Sequence, residues 1–490
     1  MKKYMLCGLL FIVIFSFWKS YNTKAFKGDL VSPPSSYKED SLKLNSYRFL
    51  ISNMQGLEHS SQTGENVDDA TSIDKDYFIN NINHAVRFSR PLINKKIITI
   101  QDFNEYVLPY RINSSKIENW RAASIAKYDK KYQVGLIKDE QSLINTCNDI
   151  NKELMTWFKF GSTNFDDEKL SYYDLCSNKK SSCIGMAYLA AYSLRGIGLP
   201  VAIDYAPVWG NINGGHTWNS LVTKSKKVNP FLGAESIIGS YSPLNLVSNQ
   251  STRISTYKKP GKVYRYTFSV QKKSLAYEYG SSTLPPELRE SRIIDITKNY
   301  VPVKDIIVRT HSPYPKLLLI SNYNSGGWVP IMATKIKNNQ YVFKDMGRDL
   351  LYSTFSYNKG EQNSMGDPIY LDVSGRSTVL RPNDKKLMKL TINRTQSIEN
   401  DQLQEVNKGW DYDKLTKIAN GKSCSLPKNG AKYTLYYWKN SWQALGSIMA
   451  ANNCLIFRSI PSNGLYLLSS KESISDERPF MIINNSIKWL

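Results

Sequence analysis

The sequence predicts an α+β protein, on three observations. Apolar residues recur at helical spacing between about Ser46 and Asn151, an apolar helix follows Cys183, and short strand-like runs begin after Pro200. At 490 residues the chain exceeds one ordinary core, so several domains are expected. Hydrophobic residues make up 41% and charged residues 22%, which is the composition of a folded chain and excludes the disordered classes.

In chain order, Lys2 and Lys3 precede an apolar run from Tyr4 to Trp18, suited to a signal-peptide core and short for a membrane span. Residues 1–25 are expected to be that signal, with Thr23-Lys24-Ala25 at the cleavage site, or else an uncleaved anchor. Export to the periplasm or cell surface follows from either. Ser32-Pro33-Pro34-Ser35-Ser36 marks an exposed leader over 26–45. Ile79, Ile82 and Val86 share a helical face from which His84 points away, and Pro91 closes that helix. Helices are also predicted from Gln101 to Leu108, stopped by Pro109, and from Leu143 to Phe158. After Cys183, the residues Met186, Leu189, Ala190, Ser193 and Leu194 form one helical face, and Gly196, Gly198 and Pro200 are stop signals. Strands are predicted over 201–205, 217–222, 227–231 and 263–270.

The remainder repeats itself. A shift of 114 residues superposes Trp328 on Trp442, Asn338 and Asn339 on Asn452 and Asn453, Phe343 on Phe457, and Leu351-Tyr352 on Leu465-Tyr466. Two related β-sandwich-like modules are therefore expected, over 290–398 and 415–490. Their recurring aromatics read as core packing before ligand platforms. The expected organisation is a signal peptide (1–25), a mainly helical region (26–135), a catalytic domain (136–275) and these two modules.

The formal charge is +22, and +18 without the four lysines of residues 1–25. The lysines are dispersed and no arginine-rich stretch appears, so the charge reads as a solvated surface; a nucleic-acid partner is not expected. Six cysteines and four histidines lack Cys-x-x-Cys or His-x-x-x-His spacing, so neither a metal site nor a cofactor is expected. In an oxidising compartment Cys424–Cys454 and Cys147–Cys176 are candidate pairs, which leaves Cys183 over.

Thiol catalysis needs a thiolate, a base, a group that orients the base, and donors for the oxyanion. A cysteine at a helix start gains from the macrodipole and lies beside unpaired backbone amides. Cys183 fits both demands. His216 follows Gly214-Gly215 and begins a strand carrying Trp218, which makes it the best base; His59, His84 and His311 sit in polar or turn contexts. On the next strand Asn229 offers an amide oxygen to the imidazole, with Glu235 as the fallback and a pre-proline turn role as the other reading of Asn229.

Cys183 opening an apolar helix, His216 in His216-Thr217-Trp218, and Val228-Asn229-Pro230 resemble the transglutaminase-like superfamily, best over about 140–235. Tyr106 to Arg111, Trp120-Arg121 and Pro207 to Asn211 resemble a branch of it found in exported multidomain bacteroidete proteins. The resemblance implies a papain-like α+β core and a Cys-His-Asp triad acting on amides through a thioester, with Asn229 standing where the family has Asp. In that branch Trp209 and Trp218 would wall the acyl site, and Arg111 and Arg121 would bind carboxylates or sugars; buried packing and ordinary ion pairs are the other readings. The expected activity is an exported thiol hydrolase of peptide, protein or glycan-peptide amides, associated with the cell envelope. The alternative is a catalytically degenerate protein that binds polysaccharide or a cell-surface protein through its β modules.

Overall fold

In the computed structural model the described residues are 30–490, except 31, 61–64, 113–114, 162–169, 226–227, 250–253, 281–282, 310–314, 410, 423, 472–473, 475–476 and 484–485. The expected signal peptide and His311 lie outside them. The chain divides into two compact units, one of residues 1–150 and 157–200, the other of 151–156 and 201–490. That division falls after Pro200, inside the stretch expected to form one catalytic domain. No helix among the described residues is long and apolar enough to cross a membrane.

The first unit is helical: α1 (Ser41–Met54), α2 (Lys75–Asn94), α3 (Ile100–Tyr106), α4 (Trp120–Tyr132), most of α5 (Glu140–Trp157), α6 (Tyr172–Asn178) and α7 (Cys183–Gly196). Asp40, Asp74, Thr99 and Ser171 each cap a helix start by accepting a backbone amide. The buried stripe of α2 runs through Phe78, Ile82, Val86 and Ser89, while Ile79 is only half-buried. Pro91 sits inside the last turn of α2 and does not end it, since the helix continues to Asn94. The expected leader is also partly folded: Tyr37 is buried in a short 3-10 turn and its hydroxyl donates to Asn83 Oδ1 at 3.0 Å. Helix α7 is buried on every side from Gly185 to Gly196, so it is the central helix and its apolar residues extend beyond one face. Gly196 is required where α4 and α7 cross, since a Cβ there would overlap the Ser124 side chain.

The second unit opens with an antiparallel sheet of β1 (Val201–Ala206), β2 (His216–Val222), β3 (Val228–Phe231), β4 (Tyr264–Tyr266) and β5 (Ile293–Asp295), in the order β5-β4-β1-β2-β3. A short helix, α8 (Leu275–Tyr279), lies between β4 and β5. The chain continues through β6 (Val303–Arg309), β7 (Leu317–Asn324), β8 (Gly327–Lys335), β9 (Gln340–Gly347), β10 (Leu350–Asn358), β11 (Ile369–Leu371) and β12 (Ser377–Val379). It then forms β13 (Asn383–Ile392), α9 (Ile398–Lys408), α10 (Tyr412–Ala419), β14 (Lys432–Trp438), β15 (Trp442–Met449), β16 (Leu455–Ser462), β17 (Leu465–Ser469), β18 (Phe480–Ile483) and β19 (Ser486–Trp489).

The two modules share one topology. β8-β7-β10-β11-β12 and β15-β14-β17-β18-β19 are matching sheets, and β6-β9 matches β13-β16 as the second ladder of each. Asn338-Asn339 and Asn452-Asn453 all take positive φ, so the asparagines shared by the repeat are the left-handed turn residues it requires. The boundary differs from the expected 398: β13 pairs with β16 and so belongs to the second module. Helices α9 and α10 separate β13 from β14, which breaks the constant offset that made the other strands visible. Tyr352 donates to the Gly347 carbonyl at 2.6 Å, and Tyr466 likewise donates to the Pro461 carbonyl. Tyr352→Phe and Tyr466→Phe should each cost about 1–2 kcal/mol by leaving a buried carbonyl unpaired. Urea unfolding checks this, and a loss in only one of them would show that the two corners are not equivalent.

Candidate active-site residues

Cys183 is the first residue of α7 and is half-exposed. Ser182 caps the helix, its Oγ accepting the Ile184 amide at 3.2 Å and its carbonyl accepting the Met186 amide at 3.0 Å. The Gly185 amide makes no hydrogen bond among the described residues, so it is the donor this helix start leaves available. The pairs Cys147–Cys176 and Cys424–Cys454 do not form, and these four residues remain thiols. Cys147 is buried within α5, which pushes its thiol pKa up, and burial also raises that of Cys176, which bonds Tyr172. The odd-count argument for Cys183 therefore falls away and its helix position stands alone.

His216 begins β2 opposite Ala206. Gly215 before it passes so close to the Ala206 and Pro207 carbonyls that a Cβ would overlap both, which explains a glycine there. The imidazole Nε2 lies 2.7 Å from the Tyr241 hydroxyl, its one hydrogen-bond partner among the described residues. Trp218 stacks beside it with centroids 5.8 Å apart, and Trp209 lies 6.5 Å from both rings. Burial first, and Lys258 second, lower the His216 pKa to about 3, so the ring is neutral.

Strand alternation puts His216, Trp218, Asp204 and Arg265 on one face of the sheet, because Trp218 pairs with Asp204 and Asp204 with Arg265. There Arg265 grips Asp204 through two bonds of 2.6 and 2.8 Å. Tyr300 donates to Asp204 at 2.7 Å and accepts the Trp218 indole N–H at 2.8 Å. This network fixes the plane against which His216 stacks.

Asn229 does not join it. It pairs with Leu221, five residues along β2 from His216, hence on the opposite face and roughly 16 Å away at 3.3 Å per residue. Its amide donates to the Leu221 carbonyl and to Thr223. Glu235 sits in the turn from Leu232 to Ser236, which Asn151 holds through both its amide atoms. Burial raises the Glu235 pKa and Lys258 opposes it, but its carboxyl bonds no described residue. Tyr241 is the residue missed; 25 positions beyond His216, no strand register points to it.

No family model matches this chain. No curated protein matches it either. Among solved structures it is similar to one described as a “putative cysteine protease from Cytophaga hutchinsonii”, at 12% identity and a TM-score of 0.19. That alignment covers 24% of this chain and 37% of the other, so this chain spans little more than a third of its length.

The expected substrate-binding residues are structural. Arg111 is buried with its Nη1 on both Asp69 oxygens, at 2.8 and 2.7 Å, and its Nη2 on the Glu58 carbonyl. Tyr110 and His59 complete the ring of partners around Asp69. Arg121 is buried as well, donating to Asn81 and to the carbonyls of Val107, Pro109 and Arg195 while stacking on Trp120. Trp209 and Trp218 are 2% and 0% exposed, so they pack against the imidazole and form no open wall. The modules brace the loop that delivers His216: Asn324 donates to the carbonyls of Trp209, Ile212 and Gly214, and Arg478 to that of Gly210.

Proposed function

We propose that this chain is an exported cysteine-dependent enzyme of transglutaminase-like type that cleaves amide or peptide bonds, with hydrolysis favoured over transfer. The observation that carries the reading is the state of His216. Its Nε2 is held by Tyr241, its ring is locked by stacking, and its Nδ1 makes no hydrogen bond among the described residues. With Nε2–H donating to the Tyr241 oxygen, Nδ1 carries the lone pair of a general base. Cys183 Sγ then attacks the amide carbon as its proton passes to Nδ1. The tetrahedral intermediate collapses to a thioester as the C–N bond breaks, and the proton leaves on the amine. Water, deprotonated by the same nitrogen, releases the acid and restores the thiol. The Gly185 amide is the donor offered to the oxyanion. A neutral ground-state imidazole favours proton removal during attack over a standing thiolate–imidazolium pair. The apolar run after Lys2-Lys3 supports export.

One observation favours the second reading, a degenerate binding protein: no carboxylate bonds the imidazole among the described residues, so an imidazolium would gain little stabilisation. Iodoacetamide labelling at pH 7, followed by peptide mass analysis, separates the two. The cysteine-enzyme reading expects Cys183 to react faster than Cys424 and than free glutathione, with the excess lost in His216→Ala. Equal rates in the wild-type chain would sink it. An excess that survives His216→Ala would remove His216 as the base.

A further inference from the structure

A cavity of about 810 Å³ lies in the second unit, on the sheet face opposite His216. Tyr264, Ile293 and Asp295 line it, and the register puts these three on the face shared with Tyr205. Its volume is in the range of ligand-sized clefts. One wall is unusual for a strand, since Met332 to Lys335, four consecutive residues of β8, all contribute, joined by Ile336 and Lys337 just beyond its end. Side chains of a strand alternate between faces, so an unbroken run can line one cavity only by presenting the backbone edge of β8.

That edge is unpaired. β8 ends its sheet and among the described residues pairs only with β7. The Ile336 amide donates inward to the Lys316 carbonyl at 3.2 Å, and the Ile331 carbonyl accepts from Tyr264 on the outer side at 2.6 Å. The first of these sets the alternation: with Ile336 bonded inward, Ala333 and Lys335 direct their N–H and C=O groups outward. These four groups bond no other described residue. An open strand edge of this kind is normally covered, charged or kinked.

A second wall comes from Leu275 and Ala276 of α8, Leu288 of the 3-10 turn Pro286–Leu288 that packs on β8, and Leu284 just before that turn. The lining also carries Lys273, Lys337 and Lys344, none of which pairs with a described residue, against one unpaired carboxylate, Glu287. Lys335 is matched by Glu278, Asp295 by Lys262, and Glu290 accepts the Arg292 amide.

The geometry points to a peptide-binding groove: an extended acidic and apolar segment of a partner protein adds to β8 as a further strand. The backbone edge supplies main-chain hydrogen bonds, the leucine wall takes alternate apolar side chains, and the three lysines face the acidic ones. Met332 to Lys335 spans about 13 Å, which sets the paired part of the segment at about four residues. A different protein is the occupant, because a chain of net charge +22 repels its own copies. This inference stands apart from the cysteine-enzyme reading, which uses neither β8 nor α8.

The test uses the full chain and a fluorescein-labelled hexapeptide of alternating Glu and Val, read by anisotropy. Saturable binding is expected, weakened about tenfold or more when alternate amides are N-methylated or when Lys replaces Glu. In hydrogen exchange the amides of Ala333 and Lys335 should gain protection on peptide addition. Ala333→Pro removes an outward amide, which edge strands tolerate, and should abolish the gain at Lys335. If Ala333→Pro lowers the unfolding midpoint, the surface double variant Lys337→Glu with Lys344→Glu replaces it and should invert the preference between the Glu and Lys peptides. Absence of binding, equal binding of the N-methylated peptide, or unchanged exchange at Ala333 and Lys335 would overturn the proposal.

Discussion

Arg121→Ala and Arg111→Ala should each unfold the first unit about 3–5 kcal/mol more easily, and neither should act mainly through substrate affinity. Arg121 has no carboxylate partner among the described residues. Its guanidinium is spent on the Asn81 side chain and three backbone carbonyls, at 2.6–3.1 Å. Alanine would strand those acceptors in a dry interior and leave a cavity beside Trp120. Lysine would restore the charge but not the planar fork that reaches four acceptors at once, so Arg121→Lys should recover only part of the loss. Arg111→Ala fails differently: it leaves the fully buried Asp69 carboxylate with only Tyr110 and His59 beside it. Urea unfolding followed by near-ultraviolet circular dichroism measures both. Losses under 1 kcal/mol would return these arginines to the candidate ligand-binding residues.

These two residues also show what a sequence can carry. A run such as Trp120-Arg121 is visible as a pattern, yet a pattern does not distinguish an arginine that waits for a substrate from one that ties loop carbonyls together. Burial decides that, and burial depends on distant elements. The helix after Cys183 and the strands at 201–205, 217–222 and 227–231 were legible because each follows from local periodicity and turn chemistry. The offset of 114 was legible for the same reason, strand by strand, until α9 and α10 interrupted it.

Asn229 marks the limit. Its place one strand after His216 suggested a hydrogen bond, but pairing register is a non-local quantity, and a shift of one residue exchanges the faces of a sheet. Here the register sends Asn229 to the face of Leu221, and the imidazole is met by Tyr241 from a loop with no periodic signal. The Asp204–Arg265–Tyr300 network escaped for a related reason, since it joins three strands and a turn spread over nearly a hundred residues. The modules, read as binding units only in the alternative function, include the groups that fix the loop from Trp209 to Gly214. Damage at Asn324 would therefore reach His216 without touching it.

His216 should stay neutral from pH 7.5 down to pH 4.5 in the folded chain, with its Cε1–H resonance unmoved across that interval. Burial and the Lys258 charge both oppose the imidazolium, which places the folded titration near 3 against the usual 6.5 of an exposed histidine. The sign for stability follows. Between pH 6.5 and 3 the unfolded chain binds a proton that the folded chain refuses, so the contribution is complete above 6.5 and lost as pH falls. The slope is about 1.4 kcal/mol per pH unit, so unfolding at pH 5 should cost about 1–2 kcal/mol less than at pH 7 from this residue alone. His216→Gln should remove that difference. A resonance that shifts with a midpoint near 6.5 would contradict both the burial and the slope. For catalysis the same neutrality has a consequence. A base that is unprotonated throughout this range gives no acidic limb near 6.5, so Cys183 reactivity should fall below pH 6 only as the thiol chemistry itself dictates. His216→Ala should lower turnover of a cleaved amide by about 10²–10⁴-fold at pH 7. Tyr241→Phe, which frees Nε2 and with it the choice of tautomer, should lower turnover less and with the substrate KM unchanged, because it alters which nitrogen holds the proton and leaves the walls of the site in place.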